Sequence, residues 1–187
     1  MAAVSFSWGV RLKSIVTVPF LSLALSAAPV DALTREGQWE AAQWPAFQAM
    51  LNRPAPALGL SRWALGEVTP ADRKGRIVVL DFWATWCGPC REAMPHNARI
   101  LGKYRSRGVV LLGACTGGRE ESMEEVARAS GGAYPTAVAA QATAAAWNIK
   151  YFPTYAIIDR RGVLRSIGIR PDYLEKVLDA LLAEQPR

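Results

Sequence analysis

The sequence is poor in the residues that build metal clusters and disulfide scaffolds. Its 187 residues include three cysteines and a single histidine, His96. Small scaffolds held together by disulfides carry more cysteines than this, and a site that needs two imidazoles is excluded. No run of Lys or Arg is longer than two residues, although the formal net charge is +6. Because nucleic-acid-binding surfaces concentrate basic residues in a stripe, nucleic acid is not expected as a partner.

Apolar residues, in contrast, are plentiful. Hydrophobic residues make up 51% of the chain, charged residues make up 20%, and there are seven tryptophans. This composition can build a core and excludes a disordered or low-complexity protein. The length fits one ordinary domain with an appendage.

The N-terminal segment has the pattern of an export signal. Two basic residues precede an apolar run at 15–28, and small residues follow it. Residues 1–32 are therefore predicted to be a secretory signal peptide, with cleavage after Ala28 or Ala32. The run is shorter than the ~20 residues that span a bilayer, but an uncleaved N-terminal anchor is the alternative, and contact with a membrane depends on it. Export predicts an oxidising, periplasmic location.

The rest of the chain divides into a lead-in segment, 33–53, and a domain, 54–187. Apolar runs and turn signals predict the elements of the domain. Strands are predicted at 77–83, 109–115, 133–139, 154–159 and 163–168, and helices at 88–106, 120–130, 141–148 and 174–182. Strands that alternate with helices and end in a hairpin predict an α/β fold with a central mixed β-sheet flanked by helices.

The strongest chemical motif is the Cys-Gly-Pro-Cys segment from Cys87 to Cys90, between a predicted strand and a predicted helix. This spacing brings two Cα atoms within the ~7 Å that a disulfide requires. At the helix start, unpaired N–H groups and the helix dipole favour a thiolate and lower the pKa of Cys87 below ~8.5. Pro89 suits an early helical position, since its missing N–H costs nothing there. We therefore predict that Cys87 attacks and that Cys90, one turn later and shielded, resolves.

Two structural interpretations of this motif compete with the redox one. A zinc site would require Cys87, Cys90, Cys115 and His96 together, because no second Cys-x-x-Cys pair exists. A permanent structural disulfide across so short a loop would contribute little stability. The redox interpretation is preferred, with no metal and no organic cofactor beyond the Cys87–Cys90 disulfide.

Two segments resemble signatures of the thioredoxin superfamily. Residues 79–91 resemble its active-site segment, and 151–162 resemble its second signature, in which the proline is cis and packs beside the disulfide. The predicted export signal, Met94-Pro95 after the cysteines, and the long spacing to Pro153 favour the exported TlpA/ResA/DsbE subgroup. That subgroup inserts a helix–strand element between the Cys-x-x-Cys unit and the cis-proline strand.

The resemblance also implies which residues contact a substrate. A cis proline would expose the carbonyl of the residue before it and the N–H of the residue after it to a substrate backbone. The predicted contact residues are Trp86, Gly88, Pro89, Phe152, Pro153 and Thr154.

Asp81 is the single charged residue in an otherwise apolar predicted strand. In a central parallel strand both faces are covered, so burial would raise the pKa of its carboxyl. The resemblance implies that this acid accepts the proton of Cys90. A solvated aspartate at a strand end is the alternative. Exported relatives often carry a glutamate three residues after the second cysteine, where this chain has Ala93, and Glu92 lies on a different helical face.

Cys115 and His96 are expected to have structural roles. Cys115 ends the second predicted strand, where a buried free cysteine usually packs as a small hydrophobe, although a third redox thiol is the alternative. His96 lies six residues after Cys90 and is expected at the surface or half-buried.

Together these features predict an exported thiol–disulfide oxidoreductase that reduces client proteins. The Gly88-Pro89 dipeptide is that of thioredoxin, whose potential of ~ −270 mV is far more reducing than the ~ −120 mV of DsbA. The resemblance implies clients such as apocytochrome c or a copper-site protein, and a membrane thiol–disulfide carrier as electron donor. The alternatives are a disulfide oxidase or isomerase, and a Cu(I) metallochaperone using Met94. A peroxidase is disfavoured because no Pro-x-x-x-Thr-x-x-Cys arrangement precedes Cys87.

Overall fold

The computed structural model describes residues 29–184. Most of the predicted signal peptide, residues 1–28, lies outside the described residues, so the signal stays a prediction. Among residues 29–184, none of the helices combines the length and the hydrophobicity of a membrane-spanning segment. The helices are α1 (Val30–Glu36), α2 (Trp44–Gln48), α3 (Pro70–Arg73), α4 (Gly88–Tyr104), α5 (Met123–Ala129), α6 (Gln141–Ala146) and α7 (Leu174–Ala183). The strands are β1 (Leu60–Ala64), β2 (Ile77–Trp83), β3 (Val109–Cys115), β4 (Thr136–Ala139), β5 (Thr154–Ile158) and β6 (Leu164–Ile169).

The six strands form one sheet in the order β1-β4-β3-β2-β5-β6. Strands β2, β3 and β4 are parallel to one another. Strand β5 pairs antiparallel with β2 and with β6, and β1 pairs antiparallel with β4. The predicted mixed sheet is therefore confirmed. Between β3 and β5 the chain forms α5, β4 and α6, which occupy the place of the predicted inserted element.

Strand β2 is central. Its side chains alternate between the two faces of the sheet and therefore pack into two separate core clusters. Ile77, Val79 and Trp83 face one buried cluster. Val78, Leu80 and Phe82 face the other. Every residue of β2 is buried, as expected for a strand covered on both sides. Since side chains alternate along a strand, Asp81 lies on the face of Val79 and Trp83, which is the face that Cys87 and Cys90 also join.

The lead-in segment packs directly onto the sheet. Gln38 forms an antiparallel bridge with Ile169 of β6, and its side-chain amide donates to the carbonyls of Thr34 and Ile167. Phe47 of α2 is fully buried in the second cluster. The boundary proposed at residue 54 stays a prediction, but the segment before it contributes core and sheet contacts.

Strand β1 is the one strand of the described sheet that the sequence analysis missed. Its residues alternate poorly between buried and exposed, and its pairing with β4 shifts register between Ser61 and Ala64. Arg62 adopts a positive φ of 46° within it. An irregular edge strand of this kind lacks the regular period of two on which strand prediction depends.

Candidate active site

The site is built where β2 ends and α4 begins. Cys87 is the N-cap of α4, with extended backbone angles, and Pro89 lies in the first turn. The N–H of Cys90 donates to the sulfur of Cys87 at 3.2 Å. The two cysteines form a disulfide with an S–S distance of 2.05 Å and a Cα–Cα distance of 5.3 Å. The Cys87 sulfur thus already accepts one of the otherwise unpaired N–H groups of the helix start.

The two sulfurs differ in their position relative to the surface. Cys87 is 4% exposed and lies between exposed neighbours, Trp86, Gly88 and Pro89, whereas Cys90 is 1% exposed and faces the core. The expected shielding of Cys90 is therefore present. Of the two cysteines, Cys87 therefore lies closer to the surface.

An exposed aromatic platform borders Cys87. Trp86 is 56% exposed, and its ring meets that of Phe152 edge to face, with 5.7 Å between centroids. The indole N–H of Trp86 donates to the carbonyl of Gly117 at 3.0 Å. A Cβ atom added at Gly117 would lie 3.1 Å from the Phe152 ring, and the φ of Gly117 is +96°. The loop after β3 therefore fixes the tryptophan while leaving one of its faces to solvent.

The second signature lies beside this platform. The Phe152–Pro153 peptide bond is cis, as the resemblance implied. Pro153 and Thr154 are buried, and Thr154 begins β5 with its hydroxyl donating to the Tyr151 carbonyl at 2.7 Å. The substrate-contact roles of Phe152, Pro153 and Thr154 stay predictions, but the fold brings Phe152 against Trp86.

Asp81 is enclosed in the core on the same face of the sheet as the cysteines. It is 1% exposed, so the solvated strand end is not what the structure shows. Burial raises the pKa of its carboxyl to about 7, against a smaller opposing effect of hydrogen bonds from Tyr134 and Asn97. An acid with such a pKa exchanges a proton near neutral pH.

Asn97, Tyr134 and Tyr155 surround Asp81, and the sequence analysis did not identify them. Asn97 comes from α4, Tyr134 from the loop before β4, and Tyr155 from β5, directly opposite Asp81 in the register. Asn97 lies seven residues after Cys90, so both occupy one face of the helix. The sequence could have indicated Asn97, because it is a polar residue on an otherwise apolar helical stripe. Nothing in the sequence distinguishes the two tyrosines from ordinary core residues.

The structure also places the remaining candidate residues, which are Cys115, His96, Ala93 and Glu92. Cys115 is a free, fully buried thiol opposite Trp83 in the parallel register, and burial raises its pKa to about 12. His96 is half-buried, and Ala93 is half-buried on α4. Glu92 is exposed and, with Gly88, Arg91, Ala129 and Ser130, lines a depression of about 340 Å³ beside the helix start. Glu92 is therefore on a different face from Ala93, as predicted.

The expectation of no metal and no organic cofactor stays a prediction. Within residues 29–184 no group of three or more His, Cys, Asp or Glu side chains is placed to hold a metal ion. Met94, which a copper site would use, is 1% exposed and packs in the first core cluster.

Known proteins resemble this chain in sequence. Residues 51–167 match the AhpC/TSA family. The thioredoxin-like protein YneN of Bacillus subtilis is 31% identical over 122 residues, which cover 63% of this chain and 71% of that protein. The thiol-disulfide oxidoreductase ResA of Geobacillus kaustophilus is 33% identical over 98 residues, which cover 52% of this chain and 56% of ResA.

Solved structures resemble it in fold. A thiol:disulfide interchange protein DsbE from Chlorobium tepidum superposes with a TM-score of 0.61 at 28% identity, over 70% of this chain and 97% of that one. The thioredoxin domain of a Bacteroides vulgatus thiol-disulfide oxidoreductase, 21% identical, shares the fold with a TM-score of 0.63 over 71% of this chain and 97% of that one. The chain therefore belongs to the AhpC/TSA family, as a thioredoxin-like thiol–disulfide oxidoreductase of the ResA/DsbE type.

Proposed function

We propose that this protein is an exported reductase that opens disulfides in client proteins, with Cys87 as the attacking sulfur. The observation that carries the proposal is the placement of Cys87: it caps α4, accepts the Cys90 N–H, and lies at the edge of the exposed platform of Trp86 and Phe152. The helix start stabilises negative charge on this sulfur, and the platform offers apolar contact to a polypeptide.

The first step joins the client to Cys87. In the reduced protein the Cys87 thiolate attacks one sulfur of the client disulfide, a Cys87–client disulfide forms, and the client S–S bond breaks. The second client sulfur leaves as a thiolate and takes a proton from water. Trp86 and Phe152 hold the adjoining client chain during this step.

The second step releases the client. The Asp81 carboxylate accepts the proton of the Cys90 thiol, and the Cys90 thiolate attacks the sulfur of Cys87. The Cys87–Cys90 bond forms as the Cys87–client bond breaks, so the client gains two electrons and the protein loses two. The product is the oxidised state that the structure shows. A membrane thiol–disulfide carrier then returns two electrons to the pair.

Reduction, rather than oxidation, is favoured by the Gly88-Pro89 dipeptide. Thioredoxin has a potential of ~ −270 mV, whereas the oxidant DsbA has ~ −120 mV. The predicted export signal favours clients outside the cytoplasm, and the resemblance to ResA and DsbE supports thiol–disulfide chemistry on them. Apocytochrome c or a copper-site protein, with its cysteines oxidised, has the chemistry of a client.

Trapping in the producing organism tests this proposal. A Cys90→Ala variant should accumulate a mixed disulfide between Cys87 and its client, which mass spectrometry of the non-reduced complex identifies. Cys87→Ala and Cys115→Ala in the Cys90→Ala background are matched controls: the first should abolish the adduct and the second should leave it. An adduct carried by Cys115, or none at all, contradicts the proposal. Fractionation of the same cells should place the protein in the periplasm or at the membrane.

The equilibrium potential distinguishes a reductase from an oxidase or isomerase. Oxidised protein is equilibrated with glutathione buffers and quenched with acid, and the oxidised fraction is counted by mass spectrometry. A potential near ~ −270 mV supports reduction, and a value near ~ −120 mV assigns the site to oxidation.

A further inference from the structure

Four polar side chains from different parts of the chain meet in the core, on the face of the sheet where Cys87 and Cys90 also lie. Asp81, Asn97, Tyr134 and Tyr155 are each no more than 2% exposed. Polar groups this deeply buried are normally hydrogen-bonded, since an unmet donor or acceptor costs free energy. The two carboxylate oxygens of Asp81 share the hydrogen bonds of this cluster unequally.

One carboxylate oxygen takes all the hydrogen bonds that Asp81 makes. Its Oδ2 accepts from the Tyr134 hydroxyl at 2.8 Å and from the Asn97 amide at 3.0 Å. The Tyr155 hydroxyl bonds to Asn97, at 3.2 Å to its Oδ1 and 3.1 Å from its Nδ2. The other oxygen of Asp81, Oδ1, is buried and has no hydrogen-bond partner among the described residues.

We propose that Tyr134 is a positioning residue for the proton transfer of this enzyme: its hydroxyl ties down Oδ2 of Asp81 and leaves Oδ1 as the oxygen that receives the Cys90 proton. Asn97 assists from α4, and Tyr155 acts one step away by holding the Asn97 amide. This inference rests on the proposed function, in which Asp81 is the proton acceptor. Nothing in the Cys-x-x-Cys motif itself specifies a tyrosine at 134.

Among the ionisable groups of this cluster, Asp81 is the one that titrates near neutral pH. The ionisable groups facing it are Tyr134, Tyr155 from β5, and Cys115 from β3. Burial raises the pKa of both tyrosines well above their usual value, and raises that of Cys115 to about 12. With Cys90 held in the disulfide, Asp81 is thus the one member of this described set that changes charge between about pH 5 and about pH 9.

A donor that faces Oδ2 stabilises the carboxylate more than the neutral acid. Removing the Tyr134 hydroxyl should therefore raise the pKa of Asp81 and free Oδ2 to compete for the proton. Hydrogen bonds to charged groups are strong enough for an effect of about one pH unit, a tenfold change in the acid constant. Because proton acceptance requires the carboxylate, the resolving step should slow at neutral and acid pH and recover at high pH.

The experiment compares Tyr134→Phe with Tyr155→Phe. Each deletes one buried hydroxyl from the same cluster, but only the Tyr134 hydroxyl touches Asp81. Two measurements are made on each: the carboxyl ¹³C shift of Asp81 against pH in the oxidised protein, and the pH profile of the resolving step. The resolving step is followed as release of a chromophoric thiol from a preformed Cys87 mixed disulfide.

The proposal expects both midpoints to rise by about one pH unit in Tyr134→Phe and by less than half of that in Tyr155→Phe. In an Asp81→Asn background, Tyr134→Phe should no longer move the rate profile. Equal shifts in the two tyrosine variants, or none in either, overturn the proposal. A shifted carboxyl titration with an unshifted rate profile also overturns it, while leaving the dithiol chemistry intact. Wild-type protein that fails to release the thiol at any pH overturns the proposed function instead, and the carboxyl titration still decides whether Tyr134 positions Asp81.

Discussion

The indole N–H of Trp83 donates to the hydroxyl of Thr136 at 3.0 Å across the middle of the sheet, above Gly113. A Cβ atom at Gly113 would lie 2.4 Å from that hydroxyl oxygen and 3.0 Å from the indole nitrogen. The glycine is thus required by close approach, and the bond fixes the end of β2 just before Cys87.

Gly113→Ala should consequently destabilise the protein. Overpacking of a filled core and loss of a buried hydrogen bond together cost about 2–4 kcal/mol. Urea unfolding of the oxidised protein measures this difference. Gly102→Ala is the matched control, because nothing beyond its own turns of helix lies within 4 Å of a Cβ at that position. It should be neutral or stabilising by up to ~1 kcal/mol, and equal effects of the two changes would contradict the packing argument.

Burial of Asp81 should appear as a pH dependence of stability. Its pKa in the folded state is about 7, above the ordinary value of 3.8. The folded protein therefore holds a proton that the unfolded chain releases, and stability falls as pH rises from near 4 to near 7. Between about pH 5 and pH 8, the free energy of unfolding of Asp81→Asn should therefore rise by about 2–3 kcal/mol relative to that of wild type.

The relevant measurement is the difference in unfolding free energy between Asp81→Asn and wild type, both oxidised, at each pH. Working with differences cancels the constant cost of replacing the carboxylate by an amide. A difference that stays flat across this range would show that Asp81 is ionised as readily in the folded protein as in the unfolded chain.

The exposed platform makes a prediction about client binding. Trp86→Ala should raise the KM for insulin reduction several-fold and change the stability by less than about 1 kcal/mol, since the ring is largely outside the core. Trp39→Ala serves as control, because Trp39 is 42% exposed and sits next to β6 instead of the disulfide. If the two variants lower activity equally, the platform of Trp86 and Phe152 is not the binding surface.

The lead-in segment makes a prediction about stability. Phe47 is fully buried, and its ring lies against Gly168, where an added Cβ would be 2.6 Å away. Phe47→Ala should cost about 3–5 kcal/mol. Gln48→Ala, an exposed position on the same short helix, should leave the midpoint of thermal unfolding unchanged. A small effect of Phe47→Ala would mean that the segment is dispensable to the fold.

The sequence predicted those elements of the fold whose hydrophobic pattern is regular. Strands β2 and β3 are continuous apolar runs, and both were located correctly from the sequence. The predicted helix at 88–106 is α-helical only to Tyr104, after which a short 3-10 turn leads to Gly108 with a positive φ. Strand β1 was missed because its bulge and positive φ break the alternation.

The candidate site was predictable where its residues are close in sequence. Cys87, Cys90 and Trp86 share one motif, and Asp81 was conspicuous as a lone acid in an apolar strand. Tyr134 bonds to Asp81 from 53 residues away, and Tyr155 lies opposite Asp81 on a separate strand and bonds to Asn97. Single tyrosines in apolar surroundings look like ordinary core residues, so only the fold reveals that the Tyr134 hydroxyl bonds to Asp81 and the Tyr155 hydroxyl bonds to Asn97 beside it.

The most direct test of the central claim, that Cys87 is the attacking sulfur, is the order in which the three cysteines of the reduced protein react. The protein is reduced, transferred to iodoacetamide at about pH 6.5, and quenched at intervals, and peptide mass spectrometry follows each cysteine separately. Cys87 should be alkylated at least about tenfold faster than Cys90, because the helix start favours its thiolate, and Cys115 should stay unmodified in the folded protein. Equal rates for Cys87 and Cys90, or faster reaction of Cys90, would contradict the account.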